Sequence, residues 1–204
     1  MKKTLFALIA SASLMLAGAA NAGVIGFEGV ATDGDFSSLY DISPYAGLNW
    51  VGEFDWFAGD NTIDHYANGA HSGTHYAVNA FGSDAVGISS ATPFNFAGAW
   101  FAAPAGGADK ASWINISAYD AANQLIGTTG NIAIGDNYVW AGAAFNNVSS
   151  LIVSRDTGWF VMDDFTTVAP ASGEVPEPAS PLVLGAGAFA LVLGRVRRRA
   201  KRAA

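Results

Sequence analysis

The stretch Trp113-Ile114-Asn115-Ile116-Ser117-Ala118-Tyr119, "WINISAY", alternates with a period of two. In extended backbone Ile114, Ile116 and Ala118 share one face, and Trp113, Asn115, Ser117 and Tyr119 share the other, as a strand with one buried side requires. Within "AYDAANQLIG" (118–127) the chain turns near Ala121–Asn123, which predicts a hairpin. Outward from it lie further short runs rich in β-branched and aromatic residues: "VIGFE" (24–28), "LNWVGEFDWF" (48–57), "HYAVNAF" (75–81), "FNFAGAWFAA" (94–103), "SLIVSR" (150–155) and "WFVMDDFTTV" (159–168). With "SWINISAYD" (112–120) and "QLIGTT" (124–129) they make about eight strands separated by Gly, Asn and Asp, with no long segment of 3.6-residue period. The expected fold is therefore all-β, a two-sheet antiparallel β-sandwich, with a jelly roll as the preferred topology.

Both ends differ in kind from this middle. Residues 1–22 join Lys2 and Lys3 to an apolar stretch from Leu5 to Leu16 and to Ala20-Asn21-Ala22, the composition of a secretory signal peptide cut after Ala22. Residues 169–178 form a Pro-, Ser- and Gly-containing linker. Beyond it, Ala179 to Gly194 carries no charge, and Arg195, Arg197, Arg198, Arg199, Lys201 and Arg202 follow as a basic tail. Sixteen residues rise about 24 Å as a helix against a hydrocarbon core of about 30 Å, so 179–204 is a marginal anchor with its basic end in the cytoplasm. Val175-Pro176-Glu177-Pro178, the apolar run and "RVRRRAKR" together resemble the PEP-CTERM sorting signal of Gram-negative bacteria. That resemblance implies processing near Pro-Glu-Pro by an exosortase, an inner-membrane intermediate, and a mature protein at the cell surface or outside the cell.

All 17 acidic residues lie between Glu28 and Glu177, where only Lys110 and Arg155 are basic. Residues 23–178 thus carry −15, although the whole chain sums to −7. Such a field repels nucleic acid and anionic surfaces and attracts cations, which excludes nucleic acid as a partner. No cysteine is present, so stability must come from a packed core or a bound metal. About 150 residues suffice for one core, and 23–168 is expected to form one domain.

In "FVMDDF" strict alternation places Val161, Asp163 and Phe165 on one face and Phe160, Met162 and Asp164 on the other, so one aspartate falls among apolar neighbours. A buried carboxylate must be paired, hydrogen-bonded or metal-bound. With two basic residues in the domain, one structural calcium held by Glu28 and by Asp163 or Asp164 is the expectation, with the Asp33-Gly34-Asp35 loop close behind. The start "GFE" and the finish "FVMDDF" also resemble the first and last strands of carbohydrate-binding modules with the galactose-binding-like jelly roll. In that family the two strands lie side by side and share a calcium ion. His65, His71 and His75 are spaced six and four apart in a Gly-rich loop, match no zinc motif, and are expected as surface side chains. The six tryptophans and six tyrosines are expected chiefly in the core, with a sugar-stacking platform as the alternative.

The chain contains no Gly-x-Ser-x-Gly elbow, no His-Glu-x-x-His and no phosphate-cradling loop. The expected function is that of a non-enzymatic, exported cell-surface or extracellular-matrix protein that binds or is embedded in exopolysaccharide. The alternative is a secreted hydrolase acting on a glycan or ester.

Overall fold

A computed structural model describes residues 23–79, 81, 84–107 and 109–168; the expected signal peptide, linker, Val175-Pro176-Glu177-Pro178 motif and sorting helix lie outside the described residues. The strands are β1 (Gly23–Ile25), β2 (Ser37–Ser38), β3 (Asn49–Val51), β4 (Trp56–Asp60), β5 (His75–Asn79), β6 (Ala85–Ala102), β7 (Trp113–Tyr119), β8 (Leu125–Thr128), β9 (Ile132–Ala133), β10 (Val139–Arg155) and β11 (Val161–Val168). Every pairing between them is antiparallel. No helix among the described residues is long and apolar enough to cross a membrane.

The long strands β6 and β10 each serve two leaves. Their 85–89 and 150–154 portions pair with one another and with β3 and β7, and β7 continues to β8 and β9. Beyond the register shifts near Phe145 and Val148, their 94–101 and 139–148 portions belong to the other leaf, ordered β2-β4-β5-β11-β6-β10. β1 lies beside the end of β11, so the first and last strands are neighbours, as the carbohydrate-module resemblance implies.

The two leaves close on a single apolar interior, the expected β-sandwich. Trp50 of β3 meets Trp56 of β4 edge to face at 5.5 Å between ring centroids, and the Trp56 indole N–H donates to the Gly87 carbonyl at 2.9 Å. Ile114, Ile116 and Ala118 are fully buried there, as the alternation of "WINISAY" requires. Each large side chain so buried contributes roughly 1.5–3 kcal/mol.

Three expectations about elements are corrected. "LNWVGEFDWF" is two strands in different leaves, because Gly52 takes a left-handed φ of 98° and a turn closes from the Asp55 N–H to the Gly52 carbonyl. "VIGFE" ends its pairing at Ile25, since Phe27 adopts φ 63° to bury its ring. "FNFAGAWFAA" and "SLIVSR" are the parts of β6 and β10 that the β-branched and aromatic pattern reveals; β6 is nearly twice and β10 nearly three times as long.

Candidate functional site

The outward face of the β4-β5-β11-β6-β10 leaf gathers the expected carboxylates. Met162 and Phe165 both point into the sandwich, whereas Val161 belongs to a second apolar cluster on the outer side. Strict alternation would separate Met162 from Phe165. A bulge accounts for the difference: the β11–β6 register shifts between Asp163 and Thr166, and Asp164 takes φ 49°, a left-handed conformation that Asp tolerates better than most residues. Asp163 and Asp164 therefore reach the same loop instead of opposite faces, which corrects the alternation expected for this pair.

That loop is residues 71–75. Asp163 is fully buried; its Oδ2 accepts the Ser72 N–H at 2.9 Å and its Oδ1 accepts the Asp164 N–H at 2.6 Å. Asp164 accepts the Ser72 hydroxyl at 2.6 Å and lies 2.7 Å from the His71 Nδ1. Glu28, just past β1, takes the other end of the loop: its Oε1 accepts the Thr74 and His75 N–H groups at 2.7 and 2.9 Å, and its Oε2 accepts the Thr74 hydroxyl at 2.9 Å. Burial pushes the Asp163 carboxyl up to about 7, against the opposing N–H bond from Ser72 and with the Asp164 charge adding to the rise. Burial also pulls on Glu28, yet the N–H groups of His75 and Thr74 outweigh it and hold its carboxyl at about 2.

The first and last strands are thus joined through a shared loop. Each carboxylate oxygen of Glu28, Asp163 and Asp164 faces an N–H, O–H or imidazole partner. Among the described residues no group of three or more His, Cys, Asp or Glu side chains is placed to hold a metal ion. The three carboxylates form a hydrogen-bonded clasp around the loop, and they are the same residues expected to share a calcium ion. The buried charge is accommodated by neutral donors; the basic residues Lys110 and Arg155 pair elsewhere, with Asp136 and Asp84.

Beside the clasp runs an aromatic surface. Trp100 of β6 and Trp140 of β10 are register partners, with ring centroids 5.6 Å apart, and His71 stacks on Trp100 at 4.1 Å and 14°. Gly98 and Gly142 are also register partners. A Cβ built on Gly98 would come within 2.5 Å of the Trp140 indole, and one on Gly142 within 2.7 Å of its Nε1, so the indole lies flat across a floor of two glycines. Trp140 remains 41% exposed. The two tryptophans, Val24, Asp164 and Thr166 line a shallow groove of about 580 Å³.

Strand patterning alone does not single out this pair. Its signal is the mirrored motif "GAW" (98–100) and "WAG" (140–142), a tryptophan with a glycine two residues away on the same face in each of two antiparallel strands. The histidines of 65–75 prove divergent in role. His71 and His75 contact carboxylates of the clasp, whereas the exposed His65 stands at the mouth of a separate cavity. Of the Asp33-Gly34-Asp35 loop, the Gly34 N–H donates to the buried carboxylate of Asp60 at 3.2 Å, and Asp60 lies opposite His75 in the β4–β5 register.

No family model and no curated protein matches this chain. Solved structures that resemble it include a DUF4465 family protein from Bacteroides caccae ATCC 43185, with 13% identity and a TM-score of 0.47 over 74% of this chain and all of the other. The CBM22-1-CBM22-2 tandem domain of Paenibacillus barcinonensis Xyn10C gives 14% identity and a TM-score of 0.41 over 80% of this chain and 49% of its own. The CBM22-1 xylan-binding domain of the same protein gives 15% identity and 0.38, over 70% of this chain and all of the other.

Proposed function

We propose that residues 23–168 form a non-catalytic module that binds polysaccharide on the Trp100–Trp140 shelf, in a protein exported by its signal peptide and sorted by an exosortase to the cell surface or extracellular matrix. The observation that carries the reading is the seating of Trp140: a partly exposed indole laid flat on two glycines offers its face to the solvent. A pyranose presents a flat C–H face that stacks on such a ring, while its hydroxyls seek acceptors and donors such as Asp164 and Thr166, which line the same groove. A core tryptophan would instead be buried by larger neighbours, as Trp50 and Trp56 are.

A hydrolase reading finds less in the geometry. The Ser72 hydroxyl and the His71 Nδ1 both turn to Asp164, so neither serves the other as nucleophile and base. The buried Asp163 has no exposed surface to offer a substrate.

Affinity electrophoresis and calorimetry on a panel of soluble polysaccharides test the proposal. Trp140→Ala should weaken binding at least tenfold, in line with about 1.4 kcal/mol or more from one stacking partner, with an unchanged melting temperature. Undiminished binding by that variant, or turnover of the glycan by purified protein, would overturn the assignment.

A further inference from the structure

A second concavity, of about 650 Å³, opens between residues 64–66 and Pro104, Gly106, Gly107 and Asp109, where Phe36, Tyr66 and Trp159 form apolar walls over Pro104. Its shape is held by the backbone. The Ala67 N–H donates to the Ala105 carbonyl at 2.9 Å, and Asn68 spans to the Ala103 carbonyl and the Ala105 N–H at 2.9 and 3.2 Å. Phe36 packs edge to face on Tyr66 at 5.3 Å, and Tyr66 lies 6.3 Å from Trp159 and stacks on Tyr76 at 5.7 Å. The Tyr66 and Tyr76 hydroxyls are buried without a hydrogen-bond partner among the described residues.

Among the side chains at the mouth, Asp64 and Asp109 are acidic and His65 stands beside them. Asp64 and Asp109 are exposed and line the opening, and the Asp109 backbone is fixed by the Trp159 N–H at 3.2 Å. The nearest base in sequence, Lys110, is drawn away by Asp136 at 2.7 Å. Neither arginine nor lysine lines the cavity. Aromatic walls under a pair of carboxylates suit a ligand that has an apolar face and a positive charge, since rings attract cations over their faces and carboxylates accept from ammonium.

We propose that this cavity is a subsite for a protonated amino sugar, so that the module prefers a glycan carrying free amines over neutral or acidic glycans. The inference rests on the reading of the domain as a polysaccharide binder. The sugar ring lies against Trp159 and Phe36, its ammonium reaches Asp64 and Asp109, and the net charge of −13 over residues 23–168 draws the polycation in while repelling uronate- or sulfate-bearing chains.

Calorimetry on residues 23–168 with a glucosamine hexamer, its fully N-acetylated counterpart and a neutral xylo-oligosaccharide tests it. The glucosamine hexamer should bind at least tenfold tighter than the acetylated one at low salt, with the advantage shrinking as salt rises. Asp64→Asn with Asp109→Asn should remove that preference, while the charge-matched control Asp41→Asn with Glu53→Gln, at exposed positions outside the cavity lining, should keep it. Equal affinities for the two hexamers, or a preference lost equally in both double variants, overturns the subsite. If xylo-oligosaccharide binding is still sensitive to Trp140→Ala, that failure belongs to the cavity alone and the shelf stands. Absence of binding to every glycan overturns both.

Discussion

Burial sets the Asp163 carboxyl at about 7 against an ordinary 3.8, so between those two values the folded protein binds a proton that the unfolded chain has released. Stability from this group is therefore present at low pH and is lost as pH rises from about 4 to about 7, at roughly 1.4 kcal/mol per pH unit at most. Glu28 and Asp156 work in the opposite sense. Although burial tends to raise each of them, N–H and O–H donors hold both at about 2, so their contribution is present above the usual carboxylate range and fades as pH falls towards 2. Asp163→Asn replaces the titrating group by a neutral one whose amide oxygen can still accept the Ser72 N–H. Melting temperatures measured from pH 4 to 8 should fall by several degrees more for the natural protein than for this variant, most of it before pH 7. A constant gap between the two curves would show that Asp163 does not titrate in this window. The need for a buried carboxylate was legible in the sequence, since apolar residues flank the Asp-Asp pair on both sides. Its face was not, because the bulge depends on a left-handed φ at Asp164 that alternation alone gives no reason to expect.

At the scale of elements, the loop 71–75 links β1, β5 and β11, and Gly73 is the residue that lets it do so. It sits at φ 63°, and a Cβ there would fall on the Glu28 carboxylate. Gly73→Ala should cost about 1–2 kcal/mol from the left-handed conformation and the displaced hydrogen bonds together. The melting temperature should then drop by about 2 to 8 °C, at ~2 to 4 °C per kcal/mol for a domain of this size. An unchanged melting curve would mean that the clasp contributes nothing. If Glu28 and Asp163 or Asp164 share calcium, residues 23–172 melt several degrees higher in excess calcium than in chelator, and Glu28→Gln abolishes that rise. One melting temperature in calcium and in chelator would leave the clasp to its hydrogen bonds alone. The strands themselves were readable where Ile, Val, Phe and Trp alternate, as in β7. They were unreadable in residues 85–91 of β6 and 141–149 of β10, where Gly, Ala, Ser and Asn predominate. These segments extend because neighbouring strands pair with them, a tertiary cause that local propensity does not carry.

For the whole molecule, the balance of charge separates three parts that the overall −7 conceals: two lysines at the start, −15 across 23–178, and six basic residues between Arg195 and Arg202. The sandwich architecture was legible from strand patterning, and the pairing of first with last strand followed from the resemblance at its two ends. The aromatic shelf required three dimensions, because β6 and β10 bring Trp100 and Trp140 together from forty residues apart. The sorting proposal belongs to this scale. The basic tail resists transfer across a membrane, and the strongly acidic domain is expected to cross it, so the apolar run of 179–194 would hold the two on opposite sides. At about 24 Å that run is too short for a comfortable permanent anchor, which suits an intermediate that is cut. Replacing Pro176, Glu177 and Pro178 together by alanine should leave the run attached and keep the protein with the inner membrane, whereas the unmodified protein should leave it. Mass spectrometry of released protein decides the matter: peptides from Leu182 to Arg195 should be absent from the natural form. Their presence in material outside the cell would show that the chain leaves with its tail intact and that Pro-Glu-Pro does not direct a cut.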